Sequence, residues 1–261
     1  MDNKLISIMT ERIVRDFDPL QIILFGSQAR GDADRDSDID LLVVFAEFTD
    51  KRKTAIAIDR ALADLPVAKD IIVSTPEELE RSRTRIGSVL RYARQEGKIL
   101  WKSRDAAAHC GMPNKAVNSA MQTTDRLTDT AGWLRHAEED LTTAEIFLGH
   151  THVPPRQSCW CAQQAAEKAL KAALIFLQID FQRTHDLNVL QDMLPERWKP
   201  LKTALPNLRD LNRWAIEARY PEEGQEPTQT DASTAVEHAR SVWTSLSTEL
   251  IQHGFLVGTA P

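Results

Sequence analysis

The first hundred residues alternate between short apolar runs and longer stretches in which apolar residues recur every three or four positions. The short runs predict strands at residues 21 to 25, 38 to 45, 69 to 74 and 98 to 102. The longer stretches predict helices at residues 4 to 16, 51 to 64 and 76 to 94. Strands that alternate with helices are typical of an α/β domain, so we expect a mixed sheet with flanking helices.

The second half of the chain shows helical spacing. An apolar stripe runs through "CWCAQQAAEKALKAALIFLQ", and a similar spacing precedes it between Leu134 and Leu148. Thr184 stands where an N-cap is expected for "HDLNVLQDML", and a last helix is predicted from Ala232 to Gln252. These helices predict an all-α bundle.

The two patterns divide the chain into an α/β domain at residues 1–103 and a helical domain at residues 125–261. Between them, residues 104–124 lose clear periodicity and contain Gly111 and Pro113, so we expect a linker there.

Composition excludes several classes of protein. The net charge of the 261 residues is -6, which argues against a broad nucleic-acid surface. No apolar run approaches the ~20 residues that a membrane helix needs, and the amphipathic N-terminus is unlike a signal peptide, so we expect a cytoplasmic protein without a membrane partner. Cys159 and Cys161 flank Trp160 in a predicted helix, which indicates buried thiols.

The segment "GSQARGDADRDSDIDLLV", residues 26 to 43, places many acidic side chains in front of an apolar strand. Asp38 and Asp40 are two apart, so on a strand they project to the same face and repel each other. Mg²⁺ prefers carboxylate oxygens and is usually held together with substrate phosphates. Gly26 permits a close approach of the backbone, and the Ser27 hydroxyl can donate to a phosphate oxygen. The segment therefore predicts a site for a metal ion and a phosphate.

These residues resemble the signature of the polymerase-beta-like nucleotidyltransferases, which is Gly-Ser, a spacer, then Asp-x-Asp. The form is most similar to the minimal nucleotidyltransferases. The resemblance covers roughly residues 5 to 103 and implies that Gly26 and Ser27 hold the triphosphate of a donor, by default ATP. It also implies that Asp38, Asp40 and a third carboxylate on a neighbouring strand bind Mg²⁺ and carry the catalysis.

The match for the third carboxylate is Asp70 in "VAKDIIVST", for which the alternative is a turn residue at the start of a strand. Arg30 belongs to the same motif. It is expected either to contact a phosphate or to form a salt bridge with the acidic loop.

The strings "QQAAEKALKAAL", "RTHDL" and "ARYP" resemble the HEPN family of helical bundles, over about residues 125 to 253. Many members of that family are ribonucleases with an arginine four to six residues before a histidine. This chain departs from that pattern, because Arg183 stands only two residues before His185 and the pair Arg104 and His109 falls in the predicted linker.

Polar residues on the second predicted helix allow two interpretations. Lys168 and Lys171 could face the nucleotide, with Lys168 as a cofactor-binding residue, or could lie on a solvated helix face. Glu167 and Glu145 carry the same ambiguity, since the helical half of antibiotic nucleotidyltransferases supplies a base for the acceptor hydroxyl.

We therefore predict a Mg²⁺-dependent nucleotidyltransferase that transfers AMP from ATP to an acceptor held between the domains. By resemblance to toxin–antitoxin pairs the acceptor is a protein side chain, such as Tyr220 of its own chain. The alternatives are a small hydroxylated molecule such as an aminoglycoside, and a HEPN module that binds nucleotide, RNA or a partner toxin. The alanine-rich helix also allows a homodimer.

Overall fold

The computed structural model describes residues 3–33, 37–104, 119–181, 184–217 and 226–255. Its contacts divide the chain into two compact units, Met1–Val117 and Asn118–Pro261. Most of the predicted linker, residues 104–124, lies outside the described residues, so the boundaries proposed from the sequence stay a prediction. In the part of the chain that is described, no helix has both the length and the apolar character that a membrane crossing requires.

The first unit contains a mixed four-stranded sheet within its described residues. Its strands are β1 Gln21–Phe25, β2 Ile39–Val44, β3 Lys69–Ser74 and β4 Lys98–Lys102. The strand order is β3-β2-β1-β4. β1 runs antiparallel to both β2 and β4, whereas β2 and β3 are parallel. The predicted fold class is confirmed for this half of the chain.

Helices cover both faces of this sheet. They are α1 Asn3–Phe17, α2 Gly26–Arg30, α3 Lys51–Ala61, α4 Pro76–Arg81 and α5 Val89–Glu96. One core forms where α1 and α3 pack on the face that carries Ile22, Leu41 and Val43. A second, smaller core on the opposite face joins Phe25 and Leu42 to residues of α4 and α5. Because side chains alternate between the two faces of a sheet along each strand, the same apolar strands contribute residues to both cores.

The helix predicted at residues 76 to 94 is wrong in its extent, because the structure divides it. α4 begins at Pro76 after the N-cap Thr75, whose side chain accepts a hydrogen bond from the Glu78 amide. A 3₁₀ turn follows at Ser82–Thr84. Gly87 then adopts φ +77°, a left-handed conformation that an α-helix does not allow, and α5 starts only at Val89.

Within its described residues, the regular elements of the second unit are all helices. Its helices are α6 Ser119–Leu148, α7 Pro155–Phe176, α8 Leu187–Asp192, α9 Lys199–Ala204, α10 Leu208–Asn212, α11 Trp214–Glu217 and α12 Gln229–Gln252. α7 is the central helix: it packs against both α6 and α12 and has buried residues on several sides, including Ala162, Ala165 and Ala169. Small side chains allow such close approach between helices. The all-α prediction is confirmed.

The caps of this unit differ in part from the prediction. Asp186, not Thr184, caps α8, because the Asp186 carboxylate accepts from the amides of Asn188 and Val189. The Thr184 hydroxyl accepts instead from the amide of Asp186, in the turn that precedes the helix. α12 begins with a full capping box between Thr228 and Asp231.

Candidate functional site

The turn between β1 and α2 lies directly against a carboxylate of β2. Gly26 adopts φ +71°. A Cβ placed on it would lie 2.0 Å from Oδ2 of Asp40 and 2.9 Å from its Cγ. Glycine is therefore required at position 26 on two grounds, the left-handed backbone and the contact with Asp40. The Gly-Ser motif and the Asp-x-Asp motif meet at this contact.

The turn is closed by backbone hydrogen bonds beyond the motif. The carbonyl oxygen of Ser27 accepts from the amides of Gly31, at 2.9 Å, and Asp32, at 3.2 Å. Gly31 ends the short helix with φ +91°. Ser27 is half-buried, and Arg30 is on the exposed side of the same turn.

Asp40 and Asp70 lie side by side on parallel strands. Asp40 is in register with Asp70 of β3 on one side and with Phe25 of β1 on the other. In-register neighbours project to the same face, and the strands are about 4.8 Å apart. Asp40 is half-buried and Asp70 is exposed. The structure thus places the predicted third carboxylate beside the second one.

Asp38 lies one residue before β2 and is exposed. Among the described residues, no group of three or more histidine, cysteine or acidic side chains is arranged to hold a metal ion. The predicted set of Asp38, Asp40 and Asp70 is therefore not gathered into a three-carboxylate cluster. The in-register pair Asp40 and Asp70 fits Mg²⁺, which commonly takes one or two carboxylates together with substrate phosphates.

Arg30 forms ion pairs with two carboxylates, and one of them was not anticipated from the sequence. Its Nη1 donates to both oxygens of Glu96, at 3.1 and 3.2 Å, and its Nε donates to Asp32 at 3.2 Å. The Gly26 amide also donates to Oε1 of Glu96, at 3.2 Å. The salt-bridge interpretation of Arg30 is thus what the structure contains, and Glu96 joins the site. No sequence signal pointed to Glu96, which is 70 residues from Gly26.

The basic cluster in "ERSRTRIGSVLRYARQEGK" includes several ion-paired arginines. Arg81 pairs with Glu77, and Arg83 and Arg94 both pair with Glu80. These pairs agree with a solvated helix face.

The second unit contains a charge cluster of its own, in which Gln163, Glu167 and Lys171 of α7 are buried and the fourth member, His185, is exposed. Oε1 of Glu167 accepts from Lys171 Nζ at 2.7 Å, and Oε2 accepts from Gln163 at 3.1 Å. Nδ1 of His185 lies 3.0 and 3.1 Å from the two oxygens. Glu167 and Lys171 are both buried, with exposed fractions of 4% and 8%, so the solvated-face interpretation of Lys171 is wrong.

This cluster keeps Glu167 ionised. Burial alone raises the pKa of a carboxyl, but the hydrogen bond from His185 and the charge of Lys171 outweigh it and lower the pKa of Glu167 to about 2. A carboxylate with so low a pKa is a weak general base, which disfavours the proposed role of Glu167 as the base for an acceptor.

The other polar residues considered in this unit are also paired. Lys168 donates to Asp140 of α6, and Arg240 of α12 donates to Glu145 at 2.7 Å. The role of Lys168 in holding a nucleotide stays a prediction. Cys159 and Cys161 are buried free thiols as expected, and burial raises the pKa of the first to about 12 and of the second to about 11.

Comparisons with known proteins match both halves of the chain. The family model "Nucleotidyltransferase domain" matches residues 6–98, and the family model "HEPN domain" matches residues 130–249. A curated relative from Methanocaldococcus jannaschii, named "Putative toxin MJ1304", is 33% identical over 125 residues, which span 42% of this chain and 80% of the relative.

Two solved structures are also similar to part of the chain. A crystal structure of TT1696 from Thermus thermophilus is 26% identical with a TM-score of 0.40, and it covers 46% of this chain and 97% of its own. A crystal structure of ST0689, an archaeal HEPN homologue, is 23% identical with a TM-score of 0.37 and the same two coverages.

Proposed function

Because this chain belongs to the proteins that carry a nucleotidyltransferase domain followed by a HEPN domain, we propose that its first unit transfers AMP from ATP to an acceptor in a Mg²⁺-dependent reaction. One observation carries the proposal. Gly26 fits against the Asp40 carboxylate with no room for a side chain, and Asp40 is in register with Asp70. A Mg²⁺ ion held by the paired carboxylates would therefore lie next to a phosphate group at the Gly-Ser turn.

The residues of the site suit nucleotidyl transfer, a reaction that proteins promote mainly by positioning and by neutralising charge. Asp40 and Asp70 would hold Mg²⁺, with Asp38 as a further ligand, and the ion would neutralise the triphosphate and the departing pyrophosphate. Gly26 permits close approach of the phosphates, while Ser27 and Arg30 offer a hydroxyl and a positive charge to their oxygens.

Transfer itself requires one bond to form as another breaks. The acceptor oxygen bonds to the α-phosphorus, the bond from that phosphorus to the pyrophosphate oxygen breaks, and pyrophosphate leaves with the electron pair. In this proposal the proton of the acceptor hydroxyl goes to Asp70 when Asp70 serves as the base, or to water when Asp70 only completes the metal site.

We propose a protein side chain as the acceptor, in a toxin–antitoxin context. The relative from Methanocaldococcus jannaschii carries the name "Putative toxin MJ1304", which supports that context. Tyr220, which lies outside the described residues, is one acceptor within the chain itself. A small hydroxylated molecule of the aminoglycoside type is the alternative, and the position of the acceptor relative to the two domains stays a prediction.

The test is to incubate the purified protein with each labelled nucleoside triphosphate and Mg²⁺, and to measure the intact mass. We expect a gain of one nucleoside monophosphate, greatest with ATP and abolished by chelation of Mg²⁺. Asp40→Asn should lower the rate by a factor of about 10² or more, because it removes one of the paired carboxylates. Tyr220→Phe tests whether the label resides on that side chain.

Asp16→Asn is the matched control, since Asp16 is an exposed carboxylate of α1 that pairs only with its neighbour Arg15 among the contacts described. It should leave transfer unchanged. Equal transfer by wild type and by Asp40→Asn would overturn the proposed mechanism. Transfer to an added aminoglycoside without labelling of any protein would favour the alternative acceptor.

A further inference from the structure

Glu96 brings a carboxylate to Arg30, a proposed phosphate contact, and to the Gly26 amide of the same turn. Its Oε1 accepts from the Gly26 amide at 3.2 Å and from Arg30 Nη1 at 3.1 Å, so two donors converge on one oxygen. Its Oε2 accepts from the same guanidinium nitrogen at 3.2 Å. An anionic oxygen is therefore already held at the point where the Gly26 amide and Arg30 meet.

Two anions cannot share these donors without a cost. Each N–H donates one good hydrogen bond, and like charges a few ångströms apart repel each other. Glu96 is partly accessible to solvent, with 24% of its side chain exposed, and Arg30 is 37% exposed. The Glu96 side chain can therefore reach water when it leaves the two donors.

The backbone next to Glu96 is fixed. A Cβ on Gly97 would lie 2.0 Å from the Ala93 carbonyl oxygen and 2.4 Å from Cγ2 of Ile23, so the chain packs tightly there. Movement of the carboxylate must then come from rotation of the Glu96 side chain. Such rotation in a partly exposed residue is fast compared with a change of the backbone.

We propose that Glu96 is a positioning residue that holds Arg30 and the Gly26 amide in place and is exchanged for a phosphate group when the triphosphate binds. This proposal rests on the proposed function and adds to it the residue that sets the affinity of the site for phosphates. Glu96 lowers that affinity through its charge, and in return it keeps the two donors oriented.

The test compares Glu96→Gln with wild type by calorimetric titration of inorganic tripolyphosphate and of ATP, each with Mg²⁺. Glutamine keeps a hydrogen-bond acceptor and removes the negative charge. We expect about fivefold tighter binding of both ligands, the effect of removing one like charge near the surface. Glu96→Ala, which removes the acceptor as well, should bind both ligands more tightly than wild type but less tightly than Glu96→Gln, because the two donors are then no longer held in place. In the labelling assay Glu96→Gln should lower KM for ATP and leave kcat unchanged.

Glu80→Gln is the matched control. Glu80 is a carboxylate of α4 that pairs with Arg94 and Arg83, so its substitution changes the net charge equally and also frees arginines. It should bind both ligands like wild type. If it binds them as tightly as Glu96→Gln, the effect is one of net charge, and the proposal is overturned.

If the wild type binds the ligands but Glu96→Gln and Glu96→Ala bind them no more tightly, the role proposed for Glu96 is overturned and the proposed function is not. That result would leave Glu96 as a structural brace for Arg30, and in that case kcat and the melting temperature should fall together. If neither wild type nor the two variants binds ATP or tripolyphosphate, the proposed function fails and this proposal fails with it.

Discussion

The substitution Glu167→Gln should destabilise the second unit, because it leaves the buried ammonium group of Lys171 without its carboxylate. Lys171 Nζ lies 2.7 Å from Glu167 Oε1. At an effective dielectric constant of about 20, two unit charges at that separation attract each other by about 6 kcal/mol. Most of that attraction offsets the desolvation of two buried ions, so it is an upper bound and not the net contribution of the pair.

The variant keeps the desolvation cost of the buried Lys171 ammonium group and loses the attraction that offsets it. Lys171 remains buried, and the amide that replaces the carboxylate carries no charge. The rings of Trp133 and Phe181, with centroids 5.8 and 6.0 Å from Nζ, attract the ammonium group in both proteins, so they do not replace the lost carboxylate. Removal of one partner of a buried pair typically costs about 3–5 kcal/mol, so we expect a loss of about 3 kcal/mol. For a unit of this size that loss lowers the melting temperature by roughly 10 °C.

Urea unfolding at pH 7, followed by tryptophan fluorescence, measures this loss. Five of the six tryptophans belong to the second unit, so the signal reports mainly on the bundle. The double variant Glu167→Gln with Lys171→Met should regain most of the stability, because both buried charges are then gone. Glu145→Gln is the control: Glu145 pairs with Arg240 in an exposed position, and its substitution should cost less than about 1 kcal/mol.

A loss below about 0.5 kcal/mol for Glu167→Gln would refute the reasoning, since removal of one buried partner should cost several times more. So would a double variant that is less stable than the single one, since Lys171 would then contribute through something other than its charge.

Three further predictions concern other features of the two units. The pKa of Glu167 falls from 4.5 to about 2 on folding, so its contribution to stability is complete above pH 4.5 and is lost as the pH falls through about 2. Between these pH values, the urea midpoint should therefore decline less steeply with falling pH in Glu167→Gln than in wild type. Gly26→Ala should abolish transfer and destabilise the first unit more than Gly31→Ala does, because both glycines have positive φ but only Gly26 contacts Asp40. If the two variants lose equal stability in melting and equal activity in the labelling assay, the contact with Asp40 is unimportant. Thr228→Ala should cost about 1 kcal/mol in urea unfolding through loss of the α12 capping box, and an unchanged midpoint would contradict that role.

Much of the first unit could be predicted because its strands are short, apolar and sharply bounded. β1 and β3 have the predicted ends, and the register that places Asp40 beside Asp70 follows from two strands that each begin near an aspartate. The divided helix after β3 was missed although Gly87 lies at the break. A helical pattern of apolar residues continued past the glycine, and the pattern does not report a positive φ.

Contacts between distant segments could not be predicted. Glu167 and Lys171 look like an ordinary i,i+4 surface pair, and only the packing of the bundle buries them and brings the exposed His185 against Glu167. Glu96 likewise reads as the polar end of a helix. Its role depends on how α5 packs beside β1, which places it against Gly26 and Arg30.

The two thiols of α7 can report on how the helical bundle opens. Cys159 and Cys161 are buried within the central helix, and burial raises the pKa of both thiols, so an alkylating reagent meets neither an accessible sulfur nor a thiolate in the folded protein. With the third cysteine of the chain, Cys110, replaced by serine, the rate of alkylation would therefore follow the fraction of molecules in which α7 is exposed. Labelling over time would give the free energy of that opening under native conditions, without any denaturant.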